Sequence, residues 1–549
     1  MNDAMPGPGA PVRRLLSFLA GHEFLIPLFA FLGFLALTLP GISWGAPAIW
    51  HPDEVALRAI KALHGDWGYY EVNFNQPFLP QNLMYLVGRL VQFFGGTDSA
   101  LLISARLISA VLLGLAVALA YPIARRLGAG IPAAGLASLL LLVSSEVMHN
   151  GHFAHTDAYV AFFSTLTVFL LLQYQGAGGR GWLYAAFLAA GLALSSKYNS
   201  LLLGLAPALV YIFKNRAGLR RQPLAFMEPL FIGLVLYILG FGIGTPRFLA
   251  WPAFFIKRTA PAMIFNVNYG FRPGAQRGIT GQYTLLEQAL GLFLFVLALV
   301  AVLWALYRYF RSLRTGAPAI SPRGTALLCL FLLDLPLMLS FNLAVRFTLP
   351  LLPLLAVLSA LFVEYLFAMP SLSSPGHARL LGLGLGLVLL FSLARTVGLM
   401  LLFLNDARYA AGDFLKTLPS GSSLEETFYS PDIPAGKFSR EHNYPLYFLK
   451  SPSDSVPKGK PYDFNAAETG LLERGTDYLL VDSFTASRFD DPYTCSLMTA
   501  ECDFFKALAS GGSTHYRLLA EFHYSLPWFM PQVAADFVNP GIRIYERRP

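Results

Sequence analysis

The sequence predicts a polytopic α-helical membrane protein of about eleven spans, ending in a small extracytoplasmic α/β domain. Three observations predict it. The 549 residues are 55% hydrophobic and only 13% charged, where soluble domains carry about a quarter charged residues. Apolar stretches of about 18 residues or more recur through the first 400 positions, whereas a β-barrel would show alternating segments of about ten. With the segments alternating across the membrane, the basic clusters at 125–126, 214–221, 308–314 and 323 all fall on one side, as cytoplasmic loops require.

The elements follow in order. Residues 24–42 form an uncharged first span preceded by Arg13 and Arg14, so it runs outward. It reads as a signal anchor, being long and without a small-residue cleavage site. Residues 43–98 make a long outer loop with polar, helix-capable stretches. The chain then returns over 99–121, goes out over 132–147, and crosses a polar segment with three histidines, His149, His152 and His155. Spans follow at 158–173, 181–195, 200–213 and 225–243. A second long outer loop, 244–284, carries Arg247, Lys257, Arg258, Arg272 and Arg277. Spans at 285–307, 325–341, 347–368 and 379–404 complete residues 1–404, the transmembrane domain. Residues 405–549 form the outer domain. There apolar runs shorten, 477–483 and 542–548 read as strands, and a helix is expected near 406–418.

The net charge of +8 belongs to the cytoplasmic loops, and nucleic acid is not expected as a partner. Cys329 reads as a packed thiol. Cys495 and Cys502 lie close together in the outer domain, where an oxidising compartment permits a disulfide. No Cys/His spacing resembles a zinc site.

The residues that point to chemistry sit near the outer ends of spans. His51-Pro52-Asp53-Glu54 follows the first span. An acidic pair beside lipid calls for a task or a partner, and a carboxylate there can act as general base on a hydroxyl or amine. Adjacent helical residues diverge by about 100°, so Asp53 and Glu54 are expected to differ in role. The competing reading makes Pro52, Asp53 and Glu54 a helix start. Asp157 begins the fourth span, as a second carboxylate or as a helix cap. Arg106, Lys197 and Arg346 are costly to bury unpaired and suit a phosphate, Arg by a bidentate fork and Lys as a point charge. Snorkelling or an acidic partner is the alternative, least suited to Arg106, which lies deep in its span. Asp334 and Glu364 read as internal helix–helix partners. Carboxylates and cations around an outward pocket suit a lipid whose tail stays in the bilayer while its phosphate meets the cations.

These pieces resemble the GT-C membrane glycosyltransferases, in particular the protein O-mannosyltransferases and the bacterial aminoarabinose transferases. The likeness runs through HPDE at 51–54, SARLISA at 104–110, HTDAYVAFF at 155–163, LALSSKYNS at 192–200 and RFTLPLLP at 346–353. It continues in NDARYAAGDFLKTLPSG at 405–421 and NPGIRIYERR at 539–548. The resemblance implies a polyprenyl-phosphate sugar as donor and transfer at the outer face, usually with inversion, onto a lipid, glycan or protein acceptor. It implies Asp53 as catalytic base and Glu54 as its acidic neighbour. Arg106 falls on the arginine expected at the donor phosphate, and Lys197 and Arg346 on basic positions near the donor lipid. Asp157 falls on a second acidic position that in some relatives shapes the site or binds a cation. His51, His155 and Arg272 complete the candidate substrate-binding set. No resident metal is expected, and a divalent cation is left open. The second outer loop lacks the Gly-His element of several relatives, reading FRPGAQRGITGQ, which leaves the acceptor open. The rival readings are a transporter or flippase, which favours internal repeats and broken midplane spans, and a non-catalytic scaffold for the outer domain. The sequence predicts a bacterial-type inner or plasma membrane location, with the site and C-terminus outside.

Overall fold

The computed structural model describes residues 21–68, 74, 76–268, 279–316, 318, 320–341, 344–372, 374–458, 463–533 and 535–549. The expectations for Arg13, Arg14, Arg272 and Arg277 lie outside the described residues. The chain divides into two compact units. One holds the described residues up to Ser43 and from Asp53 to Val397, and the other holds Trp44–Pro52 and Gly398–Pro549.

The first unit is helical. Among the described residues six helices are long and apolar enough to cross a membrane, or seven if Ile131–Leu142 and Ser145–Gly151, bent by 58°, form one span. The count differs from the eleven expected because several apolar segments make shorter helices. Leu25–Thr38 has 14 residues, and Arg180–Ser196, Leu205–Arg221 and Pro322–Met338 have 17 each. Seventeen residues rise about 26 Å, less than the roughly 30 Å hydrocarbon thickness.

The longest of the early helices, Asp98–Arg126, shows why these sequences become helices. Thr97 caps its start, with its hydroxyl accepting from the Ala100 N–H. Asp98 lies in the first turn and Arg125 and Arg126 in the last, matching the macrodipole at both ends. Small residues set the tightest crossing. A Cβ on Gly191, in the helix Arg180–Ser196, would lie 3.0 Å from the Gly240 Cα in Pro223–Gly244. The two backbones touch there, as small residues permit in membrane bundles. Glu364 accepts from the Gly130 N–H at 2.8 Å, so it partners a turn.

The second unit is built on a mixed five-stranded sheet of order β2-β1-β3-β5-β4. The strands are β1 Ser423–Glu426, β2 Arg440–Asn443, β3 Tyr478–Asp482, β4 Tyr516–Phe522 and β5 Ile542–Arg547. β1 runs parallel to β2 and β3, and β5 antiparallel to β3 and β4. Period-2 alternation divides the apolar side chains between two faces. Leu479, Val481 and Tyr545 pack with Leu471, Phe504, Phe505 and Leu508, from the helices Ala467–Glu473 and Thr499–Ser510. Tyr478, Leu480, Ile542 and Ile544 pack with Ala411 and Leu415, from the helix Ala407–Leu415. Helices therefore cover both faces, and β3 is buried along its whole length. Cys495 and Cys502 form a disulfide, and Cys329 is a buried free thiol.

Candidate active site

Four segments of the first unit bring their charged side chains together. Asp53 and Glu54 lie in a turn before the helix Ala56–Leu63, whose start carries no side-chain cap. Neither carboxylate is there to begin that helix. Asp157 sits in the first turn of Thr156–Ala177, where the helix dipole favours an anion. Lys197 ends Arg180–Ser196 in an extended conformation, at the break before the 3₁₀ segment Tyr198–Gly204. Arg346 lies in a second 3₁₀ segment, Val345–Leu351.

The geometry joins Asp53, Asp157, Lys197, Arg346 and His155. Arg346 Nη2 donates to Asp53 Oδ2 at 2.6 Å, and Arg346 Nε lies 3.8 Å from Asp157 Oδ2. Lys197 Nζ donates to Asp157 Oδ1 at 2.6 Å. His155 Nδ1 lies 2.6 Å from Asp157 Oδ2. The two carboxylates differ in access: the Asp157 side chain is 0% exposed and that of Asp53 43%. Phe347 forms the apolar floor under both cations, with its ring 3.8 Å from Lys197 Nζ and 5.4 Å from the Arg346 guanidinium carbon. Sequence reading missed Phe347, although it follows Arg346 directly in RFTLPLLP.

Four expected members lie elsewhere or outside the description. Glu54 and Arg106 form their own pair, each 0% exposed. Arg106 Nε and Nη2 donate to the two Glu54 oxygens at 2.8 and 2.9 Å, and Nη1 to the Ile42 carbonyl at 3.1 Å. Glu54 thus holds two of the Arg106 nitrogens inside the protein. His51 belongs to the second unit, where its ring lies 4.7 Å from that of Phe537. Arg272 is outside the described residues.

The histidines do not converge on a metal. His152 is held between the Met148 and Pro40 carbonyls at 3.0 and 2.9 Å. Among the described residues no group of three or more His, Cys, Asp or Glu side chains could hold a metal ion. Two cations already flank Asp53 and Asp157, so the donor set does not fit a divalent ion.

Residues 90–220 match the model of the family described as dolichyl-phosphate-mannose-protein mannosyltransferase. That stretch carries Arg106, Asp157 and Lys197. The oligosaccharyltransferase of Archaeoglobus fulgidus, solved with a tethered acceptor peptide containing an NVT sequon, is similar over 97% of this chain and 89% of its own. It is 12% identical, with a TM-score of 0.50. The chain has the GT-C fold. ArnT from Cupriavidus metallidurans, solved with bound undecaprenyl phosphate, is 16% identical over 95% of this chain and 98% of its own, with a TM-score of 0.49. No curated protein matches the chain. This GT-C protein is an integral membrane protein, and its charged cluster gathers at the ends of helices rather than at their midpoints.

Proposed function

We propose that the chain is a glycosyltransferase that moves a sugar from a polyprenyl-phosphate donor to a lipid, glycan or protein acceptor at the outer face of the membrane. The observation that carries the reading is the asymmetry of the two aspartates. Asp157 is buried between Lys197 and His155, while Asp53 is part-exposed beside Arg346. A general base must reach the proton it takes, and Asp53 is the carboxylate of the pair with an open side. The matching family's description names a dolichyl-phosphate sugar, which supports the donor class.

In this mechanism Lys197 and Arg346 bind the donor phosphate, and Asp157 is the fixed counter-charge that keeps both cations in place. An arriving phosphate competes for Arg346 and frees the Asp53 oxygen it engages. The acceptor oxygen or nitrogen attacks the anomeric carbon. The bond from that carbon to the phosphate oxygen breaks, and the polyprenyl phosphate leaves with the electron pair, stabilised by the two cations. The acceptor proton passes to Asp53. An apolar cavity of about 240 Å³, lined by Leu194, Tyr198, Tyr237, Phe241, Phe255 and Met263 among others, has lining residues on either side of Lys197 in the chain and suits part of an isoprenoid chain. The disulfide of the second unit supports an oxidising compartment for the C-terminal region.

The test is transfer of labelled sugar from polyprenyl-phosphate donors by purified protein, wild type beside Asp53→Asn. Loss of a general base is expected to lower turnover about 10²- to 10⁴-fold. Equal turnover in a folded Asp53→Asn protein removes Asp53 from the mechanism. A wild type inactive with every polyprenyl-phosphate sugar, yet moving lipid across vesicles, turns the reading to a flippase.

A further inference from the structure

The second unit contains a buried charged cluster that the transfer mechanism does not use. Arg408 is fully buried, with its guanidinium carbon 4.2 Å from the Trp50 ring and 4.8 Å from the Trp44 ring. Its Nε and Nη2 donate to the two Asp406 oxygens at 2.9 and 2.8 Å, and Nη2 also donates to the Phe537 carbonyl at 2.8 Å. Asp406 Oδ2 accepts in addition from the Trp44 indole N–H at 2.9 Å and the Asn539 backbone N–H at 2.7 Å. The neighbouring Tyr409 accepts from the Gly45 N–H at 3.1 Å, and its ring lies 5.1 Å from that of Trp50.

The contacts to Trp44, Gly45 and Trp50 grip residues 44–51, a stretch with no helix or strand of its own. Such a segment owes its conformation to what it packs against. The next residues are Pro52, whose ring fixes its own φ, and then Asp53. Few rotatable backbone bonds separate the gripped residues from the Asp53 carboxylate.

We infer that Arg408, Asp406, Trp44, Trp50 and Tyr409 form a clamp whose task is to position the catalytic loop. They are positioning residues: they act on the reaction through the backbone that presents Asp53. The inference rests on the reading of Asp53 as the base. A misplacement of about 1 Å in a reacting group can cost about 100-fold in rate, so a loosened clamp lowers turnover while the phosphate-binding cations stay intact.

The experiment uses full-length protein in detergent or nanodiscs, with Trp50→Ala, Trp50→Phe and Tyr409→Phe. Trp528→Ala, at an exposed tryptophan of the same unit, is the control. Two readouts are taken: kcat and KM for the donor lipid, and hydrogen exchange of the amides at 45–54. Trp50→Ala is expected to lower kcat about 10- to 100-fold with KM for the donor within about twofold, and to speed exchange at 45–54 but not in β3 or β5. Trp50→Phe, which keeps an aromatic face for Arg408, restores most of the rate. Tyr409→Phe removes only a hydroxyl and keeps the ring, and it is expected to speed exchange at 45–54 about fivefold. Unchanged kcat in Trp50→Ala overturns the inference. So does accelerated exchange spread evenly over the whole unit, which marks a structural core and not a clamp. If the wild type shows no transfer, the function reading fails by itself, and localised exchange at 45–54 still decides whether the clamp exists.

Discussion

Arg106 separates two accounts of this site, and a double-mutant cycle with Glu54 decides between them. The resemblance assigns Arg106 to the donor phosphate, whereas the geometry buries it against Glu54. Both side chains are 0% exposed, Arg106 spends two nitrogens on the Glu54 oxygens and one on the Ile42 carbonyl, and Glu54 also accepts from the Ala154 N–H at 2.8 Å. Removing one member leaves the other as a buried, uncompensated charge, which costs about 3–5 kcal/mol. Arg106→Met and Glu54→Gln are each expected to destabilise by about that amount. The double variant should lose less than the sum, with a coupling energy of up to about 3 kcal/mol. The assay is urea unfolding in detergent micelles, followed by fluorescence, alongside polyprenyl-phosphate binding by the folded protein. Folded Arg106→Met should keep its affinity for polyprenyl phosphate within a few fold. Stability within about 1 kcal/mol of wild type, together with a tenfold or greater loss of affinity, refutes the buttress and returns Arg106 to the phosphate.

Three further outcomes follow from the same structure. Asp157→Asn strips Lys197 of a partner at 2.6 Å and is expected to destabilise by about 3 kcal/mol, part of which Lys197→Met in the same chain restores; no restoration in unfolding experiments breaks the pairing argument. The chain has three cysteines, and with Cys495 bonded to Cys502, denatured unreduced protein should label at one thiol, Cys329, and reduced protein at three. Burial pushes the Glu426 carboxyl up to about 7 from 4.5. The native state therefore keeps a proton the unfolded chain has lost, and stability falls by about 3 kcal/mol as pH rises from 4.5 to 7, then levels off. Glu426→Gln should flatten that slope in unfolding experiments run across this range, and parallel slopes for the two proteins remove Glu426 as the cause.

Legibility divides by the range of the interaction that decides each element. β3 and β5 are visible in DYLLVDS and IRIYERR because their side chains alternate or run apolar against a core. β1 and β2 read SLEE and REHN and carry no such pattern. They are strands because parallel pairing places β1 beside β3 and β2 beside β1, and Glu425 is tolerated inside because Arg474 meets it at 2.7 and 2.8 Å. The site shows the same division. Ionisable residues at the ends of apolar spans mark Asp53, Asp157, Lys197 and Arg346 one by one. Their partners are set by tertiary contacts 40 and 293 positions apart in the chain, which local pattern does not encode. For Arg106, depth in a span signals a needed partner, and the structure supplies one in Glu54 of a neighbouring loop.

That partner also explains why two carboxylates stand side by side. Glu54 accepts from the Ala154 N–H, and the next residue, Val55, donates its own N–H to the Ala154 carbonyl at 3.0 Å. The first loop is thus bonded in both directions to a single residue of the segment that leads into Asp157. Asp53 is one position before Glu54, and Asp157 three after Ala154, so the spacing of the two aspartates is set by short covalent paths from one fixed junction. Arg106 secures that junction by neutralising Glu54 where water cannot. On the proposal that Asp53 is the base, Glu54 serves the reaction without touching it, and Asp53 holds its place beside Arg346 although its side chain is 43% exposed.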